Sequence, residues 1–279
     1  MTKLGHVSRA GFYRFGGEAV SHPAADIELR DAIQRIALAW PSYGRPRITA
    51  ELKRRGWTVN HKRVRRIMLE DNLLCLRRRK FVLTTDSGHG YAVYPNLAAD
   101  LVVTGIDQLW VADITYIRLK EEFVYLAVVL DACSRRVIGW ALDRTLEASL
   151  AVRALAMALR RRRAGPGLVH HSDRGVQYAC SEYTELLKAH GVQISMSRKG
   201  NPYDNAYCES FMKTLKYEEV FTSDYRDLAE ARASIAAFLE RVYNRKRLHS
   251  ALGYVPPAEF ERALLAQSTT DAADGQLTA

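Results

Sequence analysis

Long apolar runs are missing from this 279-residue chain. The longest, VYLAVVL from Val124, has the length of a strand, far short of the roughly 20 residues a membrane-spanning helix needs. The opening residues MTKLGHVSRAGF hold no apolar signal core, so an unexported, cytoplasmic protein with no membrane partner is expected. Cysteine is scarce: the chain has four, at positions 75, 133, 180 and 208, none paired at close metal-ligand spacing. Reduced thiols fit that pattern better than a disulfide framework. No HExxH occurs, and no long leucine heptad that would make a coiled coil.

What is present is positive charge, unevenly placed. The formal net charge is +10. Residues 1–95 carry 18 Lys and Arg against 8 Asp and Glu, whereas residues 96–279 carry 23 of each sign. The whole basic excess therefore lies in the first third. That is the pattern of a nucleic-acid-binding module joined to a neutral domain with different work, although a solvated basic surface gives the same count.

The first third reads as helical. In DIELRDAIQRIALAWPSYG, Ile27, Leu29, Ile33, Ile36 and Ala37 are taken as one helical face, ended by Pro41 and Gly44. Pro46 opens a second helix that runs to Arg55, Gly56 turns the chain, and Asn60 caps a third helix. There Val64, Ile67 and Met68 recur at i, i+3, i+4, while Lys62, Arg63, Arg65 and Arg66 fall largely on the other side. Short helix, glycine turn and basic second helix make a helix-turn-helix candidate, with double-stranded DNA as the expected partner. Arg45, Arg47, Lys62, Arg63, Arg65 and Arg66 are its candidate DNA contacts. The run Arg77, Arg78, Arg79, Lys80 is a candidate arm along phosphates. An ordinary helical hairpin with a solvated linker is the plainer alternative. Gly88, Gly90 and Pro95 place the end of this region near residue 95.

Residues 96–264 read as a second, strand-rich domain. QLWVADITYIRL alternates, with Leu109, Val111, Asp113, Thr115 and Ile117 on one face and Trp110, Ala112, Ile114 and Tyr116 on the other. Asp113 interrupts a mostly apolar face, which calls for a partner ion, a metal or an exposed sheet end. Strands follow at Phe123–Leu130 and Val137–Leu142, then a helix ending near Arg163 whose arginines suit the helix dipole. In LVHHSDRGVQY a short strand begins at Leu168 and ends at Asp173. The helix SEYTELLKAHG is expected to be capped by Ser181, and VQISMS is another strand. A helix from near Asn205 carries Glu209, Lys213 and Lys216 along one polar stripe. The tail AQSTTDAADGQLTA, residues 265–279 with Ala266 its first quoted residue, is small and polar and is expected to be disordered.

Several long stretches in order, VSRAGFYRF, YGRPRITAELKRRG, WVADITYI, HHSDRGVQY, ISMSRKGNPYDNAYCESFMKTLKYE and YNRKRLHSALGYVPPAEF, resemble one family. It is the second-frame (OrfB) transposase of the third numbered bacterial insertion-sequence family, which has a retroviral-integrase-like core. The resemblance implies an α/β, ribonuclease-H-like fold: a mixed five-stranded sheet with flanking helices, after a small all-α helix-turn-helix-like domain. It implies that Asp113, Asp173 and Glu209 are catalytic and bind two Mg²⁺, with Mn²⁺ substituting. Hard carboxylate oxygens suit these ions. The implied activity is cleavage of element ends by water and joining by the freed 3′-hydroxyl, by in-line phosphoryl transfer.

By the same resemblance Lys216 contacts element-end DNA, and Asn205 and His171 support the carboxylates. Lys213, Arg174, Gln177 and Tyr178 are further candidate DNA contacts. The implied partners are the terminal inverted repeats, target DNA, a first-frame (OrfA) product or frameshift fusion, and further copies of the chain on DNA. Val176 stands where the family more often has serine, and Ala179–Cys180 where it has Thr–Ser; both flank Asp173. Two other readings remain. A catalytically silent DNA-binding regulator would share the basic first third. A zinc hydrolase on His170, His171 and Asp173 is disfavoured, because adjacent strand residues point to opposite faces. His171 is read as standing on the side opposite Asp173, orienting or packing near the site.

Overall fold

The computed structural model describes residues 23–73, 92–198 and 205–277. The chain divides into two compact units, Met1–Leu76 and Arg77–Ala279.

In the small unit, α1 spans Pro23–Ala39, α2 Arg45–Arg54 and α3 His61–Glu70. Leu29, Ile33 and Ile36 bury one stripe of α1 against Ile48 and Leu52 of α2 and Val64, Ile67 and Met68 of α3. Ile27 is not part of that stripe and stands 67% exposed. Two residues from Leu29 is a turn of about 200° on a helix, so the two cannot share a face. Gly56 adopts φ +86°, which a glycine takes without strain. Asn60 caps α3, its Oδ1 accepting from the Lys62 N–H at 2.8 Å. Arg30 closes the unit by pairing with Glu70 and Asp71 at the end of α3.

The large unit is built on a five-stranded sheet. Its strands are β1 Leu109–Arg118, β2 Phe123–Asp131, β3 Val137–Asp143, β4 Val169–Ser172 and β5 Gln193–Met196. Their order is β3-β2-β1-β4-β5, with the first three antiparallel and β4 and β5 parallel to β1. The helices are α4 Ala148–Arg161, the single turn α5 Val176–Ala179, α6 Ser181–Ala189, α7 Ala206–Glu218, α8 Leu228–Ala237 and α9 Pro257–Leu277. The expected mixed sheet with flanking helices after a helical module is therefore present.

The alternation of β1 sets the two cores. Leu109, Val111 and Ile117 pack with Cys208, Phe211, Met212 and Leu215 of α7 and with α8. Trp110, Ala112 and Ile114 pack with Leu150, Ala154 and Leu155 of α4 and with Tyr183 and Leu187 of α6. Gly139 of β3 has no room for a side chain, since a Cβ there would collide with the Ala154 carbonyl. That is how α4 comes so close to the sheet.

Two polar devices pin the C-terminal part. Arg247 forms two bonds of 2.7 Å to Glu218 at the end of α7, both side chains nearly buried. Glu261 of α9 is buried among Ser134, Arg136 and Arg162, with the Ser134 hydroxyl donating at 2.7 Å.

Several expectations shift. The α6 N-cap is Cys180, without a side-chain bond, and Ser181 is the first helical residue. The arginines closing α4 are engaged in ion pairs, Arg161 with Glu240 at 2.7 Å and Arg162 with Glu261. Residues 92–98 already belong to the large unit: Pro95 accepts from the Met196 N–H, and the Leu97 N–H donates to Ser195. Helix α9 continues to Leu277, through the segment expected to be disordered. After Pro257 that stretch has no proline, and its alanines and leucines favour helix, which outweighs its polarity. Among the described residues no helix is long and apolar enough to cross a membrane.

Candidate active site

The site forms where β4 stops short. It pairs with Leu109, Trp110 and Val111 of β1 and reaches no further. Beyond Val111 the edge of β1 is open, and the start of α7 fills it. Asn205, at the N-cap of α7 and buried, donates from Nδ2 to the Ala112 carbonyl at 3.0 Å. A strand-edge acceptor is thereby satisfied by a side chain instead of a neighbouring strand.

Asp113 is the next residue of β1. Asp173 follows the last residue of β4, and the parallel register that sets Val111 beside His171 carries these two aspartates to the same end of the sheet. Glu209 lies in the first turn of α7. Asp113 sits in a recess: its edge reaches solvent, but protein surrounds it. Burial, then the charge of Asp173 and, less, of Glu209, raise its carboxyl to about 7, against the Ile114 N–H and Lys216, which lower it. Asp113 Oδ1 accepts from the Ile114 N–H at 2.8 Å, and Asp173 Oδ1 from the Gly175 N–H at 2.8 Å. Both carboxylates are aimed by backbone donors.

Asp113 feels the charge of both Asp173 and Glu209, with one nearby ammonium, so negative charge is left unbalanced about a partly desolvated carboxylate. Such a set fits hard divalent cations. Among the described residues no three His, Cys, Asp or Glu side chains gather tightly enough to ligate a single ion. Mg²⁺ does not need that, since it keeps several waters and commonly takes one or two carboxylates with substrate phosphate oxygens.

Lys216 is half-buried two turns along α7 from Glu209, its Nζ 4.5 Å from the Tyr116 ring centre. Lys213 and Glu209 are exposed on the same helix. Arg174 is half-buried, with Nε donating to the Ser197 carbonyl at 2.7 Å.

Four further site residues are inside the protein: His171 and Asn205, expected to support the carboxylates, and Gln177 and Tyr178, expected at DNA. His171 has no exposure; its ring nitrogens lie 2.8 Å from Ser195 Oγ and 3.0 Å from Ser197 Oγ. Asn205 is engaged with Ala112 as described. Gln177 is buried and donates to the Leu146 carbonyl at 3.0 Å. Tyr178 is buried, with its hydroxyl lacking a hydrogen-bond partner among the described residues. The turn α5 directly after Asp173 rotates Gln177 and Tyr178 inward. All four are thus held inside the fold.

His171, expected opposite Asp173, is placed by its register on the Asp113 side of the sheet. It pairs beside Val111, and residues two apart on a strand share a face. His170 points to the other core, 2.9 Å from the Tyr183 hydroxyl, and burial lowers its pKa to about 3. The two histidines therefore cannot share an ion, as strand alternation requires.

In the small unit, Lys62, Arg65 and Arg66 are exposed on α3, and Arg63, Arg45 and Arg47 are half-buried. Arg66 lies 3.7 Å from Glu70, and Arg47 lies over the Tyr43 ring. Arg77, Arg78, Arg79 and Lys80 fall outside the described residues. Sequence reasoning missed Tyr116 beside Lys216, and the Glu218–Arg247 pair that anchors the far end of α7. The latter joins residues with no shared periodicity; only the arginine-rich YNRKRLHS run hinted at it.

Fold and site together define an integrase-type core preceded by a helix-turn-helix-like module. Residues 104–202 and 190–257 match two family models described as integrase core domain, and residues 24–81 match an HTH-like domain. The chain is 41% identical over 272 residues to transposase InsF for insertion sequence IS3A of Escherichia coli (strain K12), covering 95% of this chain and 94% of that one. It is 38% identical over 267 residues to the insertion element IS600 uncharacterized 31 kDa protein of Shigella sonnei, covering 93% and 97%. The chain belongs to the IS3-family insertion-sequence transposases. Looser likenesses are to a simian T-cell lymphotropic virus intasome in complex with PP2A regulatory subunit B56 gamma (14% identity, 82% of this chain and 74% of that chain, TM-score 0.45). A second is the HTLV-2 integrase catalytic core domain in complex with magnesium (15%, 57% and 97%, TM-score 0.43).

Proposed function

We propose that this transposase cleaves the ends of its insertion element and joins them to DNA at Asp113, Asp173 and Glu209. What supports the reading is that Asp113 and Asp173 lie at one end of the sheet with Glu209 in the first turn of α7, and that burial, then the charges of Asp173 and Glu209, raise Asp113 to about 7. They would hold two Mg²⁺, or Mn²⁺ in its place. Bound there, such ions activate the attacking oxygen and stabilise the leaving one in an in-line phosphoryl displacement.

The chain's own residues do the rest. The Ile114 and Gly175 N–H groups fix the two aspartates. Asn205 ties the helix that carries Glu209 to the strand that carries Asp113. Lys216 stands beside Asp113 as a cation for an incoming phosphate. Water attacks the phosphodiester at the element end and displaces the 3′-oxygen as a 3′-hydroxyl, which then attacks a phosphodiester of the second DNA strand and displaces that strand's own 3′-oxygen as a hydroxyl. No covalent link to the protein is needed.

In the small unit, α3 is the recognition helix, with Lys62, Arg63, Arg65 and Arg66 toward DNA and Arg45 and Arg47 behind it. Arg77, Arg78, Arg79 and Lys80 extend that phosphate contact. A first-frame product, or a fusion to it, supplies the coiled coil that this sequence lacks, and copies of the chain assemble on paired ends. The test is joining of oligonucleotides bearing the element ends, in Mg²⁺, with and without that partner. Asp113→Asn, Asp173→Asn and Glu209→Gln should each lower joining by at least about 100-fold, beyond losses typical of groups that only support ligands. Near-normal joining by any of them refutes the assignment.

A further inference from the structure

Asp113 is followed along β1 by residues that no catalytic role absorbs. Lys216 Nζ stands 4.5 Å from the centre of the Tyr116 ring. Tyr116 meets Phe123 edge-on, ring centres 5.8 Å apart at 74°. The Arg118 guanidinium lies 5.6 Å from the centre of the Phe123 ring. These four side chains form one continuous strip, two aromatic rings in edge-to-face contact with a cation at each end. Antiparallel register explains part of it, because Arg118 is paired with Phe123 across β1 and β2. The strip is open to solvent: Phe123 is 49% exposed, Arg118 is exposed, and Tyr116 is half-buried.

An exposed phenylalanine alone needs no explanation. Here it is flanked by fixed positive charge and begins beside the carboxylates. Tyr116 is three residues beyond Asp113, about 10 Å along the strand and on the other face of β1; Lys216 links the two, its charge acting on Asp113 and its Nζ lying at the Tyr116 ring. Neighbouring rings bounded by cations suit a ligand that carries both flat apolar faces and anions. Unpaired nucleotides have that chemistry, with bases for the rings and phosphates for Lys216 and Arg118. A double helix does not, since its base faces are hidden in the stack.

We propose that this strip binds unpaired bases at a DNA end, holding a frayed terminus open beside Asp113. The inference rests on the reading of the site as a DNA strand-transfer centre, and it names which part of the DNA lies where. It gives Phe123 and Tyr116 the role of stacking platforms and makes Lys216 the link between platform and carboxylates.

The test is binding of the full chain, in Ca²⁺, to a blunt duplex and to the same duplex with its last few base pairs mismatched. A fluorescent base analogue in the mismatched end reports stacking. The wild-type chain should prefer the forked duplex by at least about fivefold, the smaller effect expected of one stacked base. Phe123→Ala should abolish the preference and the fluorescence change, and Phe123→Trp should retain both. Replacing the terminal bases with abasic sites should remove the preference in the wild-type chain.

Equal binding of blunt and forked duplexes by the wild-type chain, or no binding of either, overturns the proposal. So does a preference that survives Phe123→Ala, including the case where that change alters self-association and so marks a protein contact. Equal preference for an internal bubble also overturns it, by assigning the strip to target DNA. Asp173→Asn should keep the forked preference, because the assay needs no catalysis. Were that variant to join DNA normally, the catalytic reading would fail while the strip result stood.

Discussion

The two units use arginine differently. In the large unit, arginines are consumed by acids: Arg136 and Arg162 by Glu261, Arg153 by Asp143, Arg144 by Glu122, Arg161 by Glu240 and Arg247 by Glu218. From residue 96 onward it carries 23 charges of each sign, and its candidate site brings together three acids, Asp113, Asp173 and Glu209. In the small unit, α3 sets Lys62, Arg65 and Arg66 outward on a frame closed by Arg30, and the positive excess of the chain lies in that first third. One region gathers negative charge in a recess and the other spreads positive charge on a surface. The first arrangement suits metal-assisted chemistry, and the second suits phosphate contact.

That contrast can be broken most sharply by substitution in each unit. Glu209→Gln should lower end joining at least about 100-fold while leaving DNA affinity close to wild type in a gel-shift titration. Lys62→Ala with Arg65→Ala should do the reverse. Affinity should fall similarly on all sequences if these residues touch phosphates, and the salt slope should drop by roughly one for each cation removed. Arg161→Ala, in the large unit, should leave the slope unchanged.

Next in size is the buried pair at the end of α7. Arg247→Met leaves Glu218 charged without a partner, at a cost of about 3–5 kcal/mol in urea unfolding. Adding Glu218→Leu should recover most of that loss. A smaller effect is expected from acid–base linkage. Asp113 is held near 7 in the folded chain and is an ordinary carboxyl when unfolded, near 4. Between those values the folded chain binds the extra proton, so this group's contribution is present at low pH and is lost as pH rises through about 7. Thermal unfolding without divalent ions should show that decline, and Asp113→Asn should flatten it. Mn²⁺ should raise the midpoint more above pH 7 than below pH 5. Smallest is Asn60→Ala, which removes the α3 cap and should cost about 1 kcal/mol.

Where periodicity is simple, the sequence reads well. Strand alternation put Asp113 on the face of Leu109, Val111 and Ile117, and that face packs on the helix carrying Glu209. The cap at Asn60 and the turn at Gly56 followed from the chemistry of single residues. Errors came where a count of faces slipped or a chain direction changed. Ile27 cannot share a stripe with Leu29, and His171 must share a side with a residue two further on. The strand ending at Asp173 gave no sign of the helical turn that follows, and that turn buries Gln177 and Tyr178. The Glu218–Arg247 and Glu261–Arg162 pairs join distant residues, and no local pattern carries that information.

Asp113, Asp173 and Glu209 are proposed as one metal-binding centre. Counting Mn²⁺ by electron paramagnetic resonance, on the full chain bound to an element-end duplex, tests it most directly. Two ions per chain are expected in the wild type. Asp113→Asn, Asp173→Asn and Glu209→Gln should each weaken binding of at least one ion. Unchanged Mn²⁺ binding in all three variants would contradict the account.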